Sequence, residues 1–206
     1  MKTKIIFIIS IALLIASNSK AQSSSLYHNM FGIAWEIGFP VSNNDFLSKT
    51  STAGGKLEYR HFIKENLSVG GFLNWRSYYE YFPTATYENQ DKTQAVTTDM
   101  YRYIYNLPMG ANVHYYFKGG KMIQPFVGLG LGAQYSEQTI YYNIFLTEDK
   151  NWGFLIRPEA GFILNVKDEW GILLGGSYGY STNKNDALGI KSLGDVNVQI
   201  GFVFRN

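Results

Sequence analysis

The sequence predicts an all-β protein, an eight-stranded antiparallel up-and-down transmembrane β-barrel. Three observations lead to this fold class. Eight segments alternate apolar and non-apolar residues with a period of two, which is the pattern of β-strands with two different sides. The connections alternate between short turns and long polar stretches. The non-apolar sides carry glycine, small polar residues and both signs of charge, as expected where eight strands enclose a narrow space.

The longest alternating segment, residues 101–117, indicates what the strands cross. Its apolar side carries aromatic residues towards both ends and smaller aliphatic residues in the middle. At about 3.3 Å per residue and a tilt near 45°, a strand of this length rises roughly 40 Å, close to a bilayer with its headgroup regions. Ring belts at both ends of an apolar strand face are typical of a wall that faces lipid.

Three strands are predicted before this segment, at 30–39, 54–62 and 67–81. Large apolar residues take every second position in each of them. In chain order, these apolar sides are Phe31, Ile33, Trp35, Ile37 and Phe39; Leu57, Tyr59 and His61; and Leu67, Val69, Leu73, Trp75 and Tyr79.

Four strands are predicted after it, at 123–135, 152–166, 171–180 and 195–204. They follow the same rule, with glycine, serine, asparagine and glutamine on the opposite side. Three of the predicted strands contain a proline, at Pro108, Pro125 and Pro158. Because proline cannot donate to the ladder, each of these is expected to force a bulge or a local break.

The connections predict which end of the barrel is which. Tight polar turns are expected at 64–66, 118–121 and 167–169, and long loops at 41–53, 82–97, 136–151 and 181–193. In outer-membrane barrels the short turns lie in the periplasm and the long loops lie outside the cell.

Charged residues on the strands predict a polar network inside the barrel. The non-apolar sides carry four arginines and four glutamates, whereas the lysines lie almost entirely in loops, Lys56 being the exception. Arginine satisfies buried carboxylates in bidentate fashion, and unpaired charges in the lumen would cost several kcal/mol each. The predicted members of this network are Glu36, Glu58, Arg60, Arg76, Glu80, Arg102, Arg157 and Glu159. A lumen largely plugged by these side chains is expected.

The first residues predict export. Lys2 and Lys4 precede an apolar run at 5–16, and small residues follow it, so 1–21 is interpreted as a cleaved signal peptide. A short periplasmic segment is expected at 22–29 and the barrel domain at 30–206. Without Lys2, Lys4 and Lys20, the 18 basic residues become 15 against 16 acidic ones, which gives no support to a nucleic-acid partner. The absence of cysteine excludes disulfides and thiolate metal sites.

Three stretches carry a resemblance to a known family. Residues 125–135 (PFVGLGLGAQY), residues 157–162 (RPEAGF) and the final GFVFRN resemble the small outer-membrane β-barrel domain of Gram-negative bacteria, the porin-like group. The resemblance covers the chain from about residue 30 to 206. It implies a barrel in the cell envelope and no single activity. We expect a monomer in the outer membrane, in contact with lipid and lipopolysaccharide and inserted by the barrel assembly machinery. Phe202 and Phe204 are the candidate assembly signal, although Arg205 and Asn206 follow them.

Catalytic and cofactor chemistry finds little support in the sequence. The three histidines, His28, His61 and His114, cannot be brought together on this topology, so we expect neither a metal site nor a catalytic dyad built from them. The glycines at 128, 130 and 132 imitate a dinucleotide fingerprint, but no helix start follows them. We expect no cofactor and no enzymatic activity.

The predicted function is structural or loop-mediated recognition in the cell envelope. One apolar segment beyond the predicted rim is a candidate contact surface: Ile140, Tyr141, Tyr142, Ile144 and Phe145. The plainer interpretation is that this segment extends the hairpin between strands five and six. Two alternatives remain: a narrow channel for small polar or hydrophobic solutes, and a secreted lipocalin-like binder with its apolar side inward.

Overall fold

The computed structural model describes residues 28–42, 45–88, 93, 95–117, 122–142 and 145–206. The predicted signal peptide, most of the 22–29 segment and the predicted turn at 118–121 lie outside the described residues. Within the described part of the chain, no helix is long and apolar enough to cross a membrane.

Eight strands form a closed barrel in which every strand pairs antiparallel with its neighbours in sequence and β8 pairs with β1. This confirms the predicted fold class. The strands are β1 (Asn29–Pro40), β2 (Ser51–Lys64), β3 (Leu67–Glu88), β4 (Ala95–Tyr116), β5 (Ile123–Tyr142), β6 (Phe145–Asn165), β7 (Trp170–Ser181) and β8 (Leu193–Arg205). One end of the barrel carries the short connections, and β1 begins and β8 ends there; we call it the turn end. The opposite end is the loop end.

The stagger of the barrel follows from the pairing register. A row of paired residues that starts at Trp170 passes through Phe204, around the barrel, and returns to β7 at Tyr180, ten residues further along. This stagger requires strands that tilt by roughly 35–45° from the barrel axis. Eight strands leave an interior just wide enough to be filled by side chains.

The two faces of the wall are those that the alternation predicts. On β1, the outward Trp35 is 50% exposed and the next residue, Glu36, is 0% exposed. The same alternation runs through β8, where Ile200 and Phe202 face outward and Gln199 is buried. Apolar side chains therefore cover the outside and polar side chains fill the middle of the inside. This excludes the lipocalin-like alternative, which needs the opposite arrangement.

Two predicted loops are wrong, because they are continuous hairpins. β3 and β4 remain paired up to Glu88 and Ala95, and β5 and β6 up to Tyr142 and Phe145. These parts of the hairpins project beyond the shorter strands, so neither of their faces needs a row of apolar residues. The alternation of apolar and polar residues therefore fades in the sequence, although the hydrogen-bonded pairing of the strands continues. For the described residues 140–142 and 145–146, the interpretation as an extension of the β5–β6 hairpin is confirmed.

At the strand prolines, the predicted bulges are wrong, but two of the three positions show the local break that was the other expectation. The register does not shift at Pro108, Pro125 or Pro158; pairing is interrupted on one side only at Pro108 and Pro158, and resumes unchanged. A missing N–H removes ladder bonds towards one neighbour, while the ladder on the other side holds the register. One of the register shifts that do occur lies between Phe82 and Ala85, next to Pro83.

Candidate functional site

The interior of the barrel begins at the turn end with an apolar layer. Every strand except β3 contributes to its buried members, which are Met30, Ala34, Phe62, Tyr116, Phe126, Ile163, Leu173 and Val203. The Tyr116 and Phe62 rings are tilted against each other with centroids 5.1 Å apart, and the Phe126 ring centroid lies 6.1 Å from that of Tyr116. This layer fills the lumen at the level where the strands leave the turns.

A first group of charges lies directly above this layer, and we call it the turn-side cluster. It consists of Lys56, Glu58, Arg60 and Glu159, all buried. The Lys56 Nζ lies 2.7 Å from a Glu159 oxygen and 3.0 Å from a Glu58 oxygen. Arg60 donates to Glu58 over 2.6 Å. Two cations thus meet two carboxylates, and the cluster is neutral in total.

Small and aromatic neighbours hold the turn-side cluster in place. The Arg60 guanidinium lies 4.8 Å from the centroid of the Phe126 ring and donates to the Tyr116 hydroxyl over 2.9 Å. The His114 ring contacts Glu159 through Nε2. Gly128 faces this ring, and a Cβ there would lie 2.7 Å from His114 Nε2, which is closer than atoms pack. The glycine therefore makes room for the histidine.

A second group of charges, the loop-side cluster, lies further up the lumen. It consists of Glu36, Arg76, Arg157 and Asp195, again two cations with two carboxylates. Arg76 donates to Glu36 over 2.6 Å and to Asp195 over 2.5 Å, and Arg157 donates to the other oxygen of Glu36. The buried amide of Asn74 donates to Glu36 over 2.8 Å. Every carboxylate in the group is held by an arginine.

The structure brings six of the eight predicted network residues into these two clusters. It adds Lys56 and Asp195, which the sequence analysis did not include because it matched arginines with glutamates alone. Lys56 stands on the inward side of β2, and Asp195 stands on the inward side of β8. Counting every charge on the inward face, whatever its type, would have found both residues.

The other two predicted members, Glu80 and Arg102, lie outside both clusters. They pair across β3 and β4 near the loop end, where the strands leave the narrow lumen. Arg102 donates to the backbone oxygens of Asp45 and Phe46 over 2.8 and 3.1 Å. Glu80 accepts a bond from the Ser48 amide over 2.7 Å. Both side chains therefore hold the β1–β2 loop, and placing them in the lumen network was wrong.

The loop end of the lumen is covered by a second apolar group, which we call the cap. It combines residues of the β1–β2 and β7–β8 loops with inward residues of β3, β4, β5 and β8: Phe46, Leu47, Tyr78, Met100, Ile104, Ile140, Ile190 and Leu193. Ser42 accepts from the Gly194 amide of β8 over 2.6 Å. It also donates to the Ser192 carbonyl over 3.2 Å and so ties the two loops together at this level. A cavity of about 20 Å³ lies beneath the cap, room for roughly one water molecule.

The predicted contact segment divides between the cap and the surface. Ile140 is buried in the cap, so its assignment as a contact residue is wrong, and Tyr142 packs partly against the same group. Tyr141 and Phe145 are exposed. Ile144 lies outside the described residues. β5 continues past the predicted rim, and its even-numbered residues face the inside of the barrel. Ile140 is one of these residues, which explains why it is buried.

The two glutamates of the turn-side cluster and the neighbouring His114 have the residue types of a metal site. Ligand atoms of Glu58, His114 and Glu159 lie within 4.8 Å of one another. The Lys56 ammonium, however, already bridges both carboxylates, and Arg60 holds Glu58 from the other side. Fixed cations therefore take the place that a metal ion would need, and the trio functions as part of an ion-pair cluster.

The candidate assembly signal lies on the last strand. Phe202 and Phe204 face outward on β8 and are both half exposed. The next residue, Arg205, turns inward and donates to the Asn165 side chain over 2.6 Å. The role of the two phenylalanines in assembly stays a prediction.

Comparisons with known proteins agree with this architecture. No curated protein matches. Among solved structures, Neisserial surface protein A is similar at 12% identity and TM-score 0.53, covering 90% of this chain and 100% of that one. The Escherichia coli outer membrane protease OmpT is similar at 7% identity and TM-score 0.53, covering 91% and 99%. Ail of Yersinia pestis follows at 16% identity and TM-score 0.47, covering 87% and 97%.

These structural similarities extend to the fold alone, because the identities are low. The family model described as outer membrane protein beta-barrel domain matches residues 8–205, almost the whole chain. Both the match and the barrel described above lead to one conclusion. The chain belongs to the outer membrane protein beta-barrel domain family.

Proposed function

We propose that this protein is an outer-membrane barrel with a closed lumen, which serves as a rigid support for its loop end and not as a pore. The observation that carries the proposal is the order of the interior: apolar layer, neutral ion-pair clusters, apolar cap. Between the two clusters, where Phe72, Asn112 and Gly130 meet Lys56 and Arg157, there is no room for a water molecule.

The energetics of the clusters support closure. A solute that crossed the lumen would have to separate Arg157 from Glu36 or Lys56 from Glu159. Each separation would leave buried charges without partners, which costs several kcal/mol per ion. Conducting pores instead hold charged side chains around open water, where binding is weak enough for a solute to leave. A narrow channel remains the competing hypothesis, and conductance would reveal it.

The loop end supports a recognition role. The β3–β4 and β5–β6 hairpins project beyond the other strands as paired ladders, so their surfaces are held in place without ligand. Apolar side chains are presented there, with Phe145 66% and Leu146 54% exposed near the β5–β6 tip. Exposed apolar patches on an ordered scaffold are typical of interaction sites.

We propose no catalytic role for this chain. OmpT is named a protease, but its 7% identity extends to the fold alone. His28 and His61 lie at the turn end, and His114 is buried against Glu159. A histidine base for a reaction at the loop end is therefore missing from the sequence.

Planar-bilayer recordings and solute entry into liposomes test the proposal. The purified wild-type protein is expected to give no conductance steps and no solute entry. Arg157→Ala is expected chiefly to lower thermal stability, since it leaves Glu36 with one cation fewer. Lys184→Ala is the matched control, because it breaks an exposed ion pair with Asp186 instead of a buried one. Regular conductance steps from the wild type would overturn the closed-lumen proposal in favour of the channel.

A further inference from the structure

The outer face of β3, β4 and β5 carries a patch of tyrosines near the loop end, which we call the tyrosine shelf: Tyr79, Tyr81, Tyr101, Tyr103 and Tyr141. Its members are cross-strand neighbours. The Tyr81 and Tyr101 ring centroids lie 4.9 Å apart, and those of Tyr103 and Tyr141 lie 5.4 Å apart with the rings edge to face. The shelf is thus a continuous aromatic surface that spans three strands.

The shelf reaches above the lipid-facing wall. On β5 and β6 the outermost ring pair of the wall is Tyr135 with Trp152, 5.4 Å apart. Tyr141 lies further along the same face of β5, roughly 14 Å higher at about 3.3 Å per residue and a tilt near 45°. An aromatic belt at the bilayer interface accounts for Tyr135 and Trp152. It does not account for aromatic residues at the height of Tyr141.

Charged residues between these two levels mark where the hydrocarbon ends. Glu137, Lys150 and Glu148 lie on the same outer face, and Glu137 pairs with Lys150 across the strands. The Lys150 Nζ lies 2.5 Å from a Glu148 oxygen, so these two side chains form an ion pair on the outer face. Ionised groups on the lipid-facing side are costly within the bilayer and cost little near its surface. The upper part of the shelf therefore stands among headgroups.

The direction of the shelf restricts what can reach it. Its rings point sideways from the barrel wall, in the plane of the membrane, and continue the lipid-facing surface upward. A soluble partner that approaches from outside the cell meets the hairpin tips first. The neighbours that contact a side wall at this height are the headgroups of the outer leaflet.

The chemistry of the shelf fits sugars. A tyrosine ring offers a flat apolar face on which a pyranose ring can stack, and its hydroxyl offers a donor and acceptor to the sugar hydroxyls. A cation stands beside the shelf, with Lys49 Nζ 5.8 Å from the Tyr79 ring centroid. We propose that the tyrosine shelf binds the saccharide headgroup of an outer-leaflet glycolipid. This proposal rests on the membrane-spanning fold and is independent of whether the lumen is closed.

The size of the shelf disfavours a second protein as its occupant. Three strands at about 4.8 Å spacing make a surface roughly 10–15 Å wide. A stable protein–protein interface buries about 800 Å² on each partner, which is more than five partly exposed tyrosines on a surface of this width offer. A single sugar ring or two, held by stacking, matches the available area.

The test compares two double variants of the full chain in detergent. Tyr101→Ala/Tyr141→Ala removes the centre of the shelf, where the two residues are 42% and 44% exposed. Tyr178→Ala/Tyr180→Ala removes two outward tyrosines of β7 that are 42% and 40% exposed and lie outside the shelf. Fluorescence anisotropy then measures the affinity of labelled lipopolysaccharide with its core sugars and of labelled lipid A from which the core sugars have been removed.

The shelf variant is expected to bind the core-bearing glycolipid about tenfold more weakly than wild type, as the loss of two stacking rings implies. The β7 variant should bind it as wild type does, and lipid A affinity should be the same for all three proteins. Tyr101→Phe/Tyr141→Phe keeps both rings, so it guards against a folding defect and should lose less affinity.

Three results would overturn the proposal. Unchanged affinity of the shelf variant for the core-bearing glycolipid would remove the sugar site. An equal loss for lipid A, or an equal loss in the β7 variant, would reduce the shelf to part of the aromatic belt. Loss of chemically cross-linked dimers without a change in glycolipid affinity would assign the surface to a second copy of the chain. None of these results bears on conductance, which tests the closed lumen separately.

Discussion

The middle of the lumen and its loop-end rim use the same residue types for different purposes. In the middle, Arg76 and Arg157 are buried with the carboxylates of Glu36 and Asp195 and form one neutral cluster. At the rim, Arg102 binds loop carbonyls, and its guanidinium lies 4.3 Å from the Phe82 ring centroid. All three arginines stand on inward positions of their strands. Height along the barrel axis, and not the face of the strand, decides whether an arginine balances a buried charge or holds a loop.

Removing a cation from the middle should have the largest effect. Arg76→Ala would leave both Glu36 and Asp195 short of a partner within the loop-side cluster. We expect a loss of about 3–5 kcal/mol in the free energy of unfolding, because uncompensated buried charge is strongly destabilising. Urea unfolding in detergent micelles or lipid vesicles, followed by tryptophan fluorescence, measures it.

A double-mutant cycle provides the control for this prediction. Arg76→Ala combined with Asp195→Asn should cost less than the sum of the two single changes, since the second removes a charge that the first left unpaired. Additive costs would contradict the close coupling of these residues in the loop-side cluster.

Filling the space that Gly128 leaves should have an intermediate effect. Gly128→Ala would force its Cβ against the His114 ring, which is held in place by Glu159, and the Glu159 Cγ would itself lie 3.1 Å from the new Cβ. Overpacking of this kind costs about 1–3 kcal/mol. Gly71→Ala is the matched control, because its added Cβ would meet its nearest neighbour at 3.4 Å, an ordinary contact. Equal unfolding curves for both variants would mean that the turn-side cluster can move aside.

Loosening the rim should have the smallest effect on stability. Arg102→Ala removes two hydrogen bonds to the β1–β2 loop and the contact with the Phe46 ring. We expect a loss of about 1 kcal/mol, with faster amide hydrogen exchange confined to 45–50. Exchange that also increases in the middle of β3 and β4 would show that the rim and the lumen are not independent.

The inward and outward faces could be predicted from the sequence, because side-chain direction in a strand follows directly from a period of two. The six correctly predicted charges, from Glu36 to Glu159, were found in this way. Asp195 was missed although its face was known, because only glutamates were matched with the arginines. Its pairing with Arg76 could not be predicted in any case, since strands distant in sequence meet across the lumen only when the barrel closes, and no local pattern records this closure.

The loop end was predicted least well, for a different physical reason. Above the membrane both faces of a hairpin can carry polar residues, so nothing in the sequence separates the paired ladder of 136–151 from a loop. Ile140 was therefore taken for a surface residue, although it stands at an inward-facing position of β5 and packs in the cap. The folding of Phe46 and Ile190 over the lumen depends on contacts between two loops that no periodicity records.

The most direct test of the closed lumen uses the absence of cysteine from the sequence. A single cysteine at Asn112→Cys would stand between the two clusters, and one at Lys184→Cys would stand on an exposed loop. In lipid vesicles, a water-soluble thiol reagent should label Lys184→Cys rapidly and leave Asn112→Cys unlabelled until the protein is unfolded. Labelling of folded Asn112→Cys at a rate similar to that of Lys184→Cys would contradict a lumen closed by paired charges.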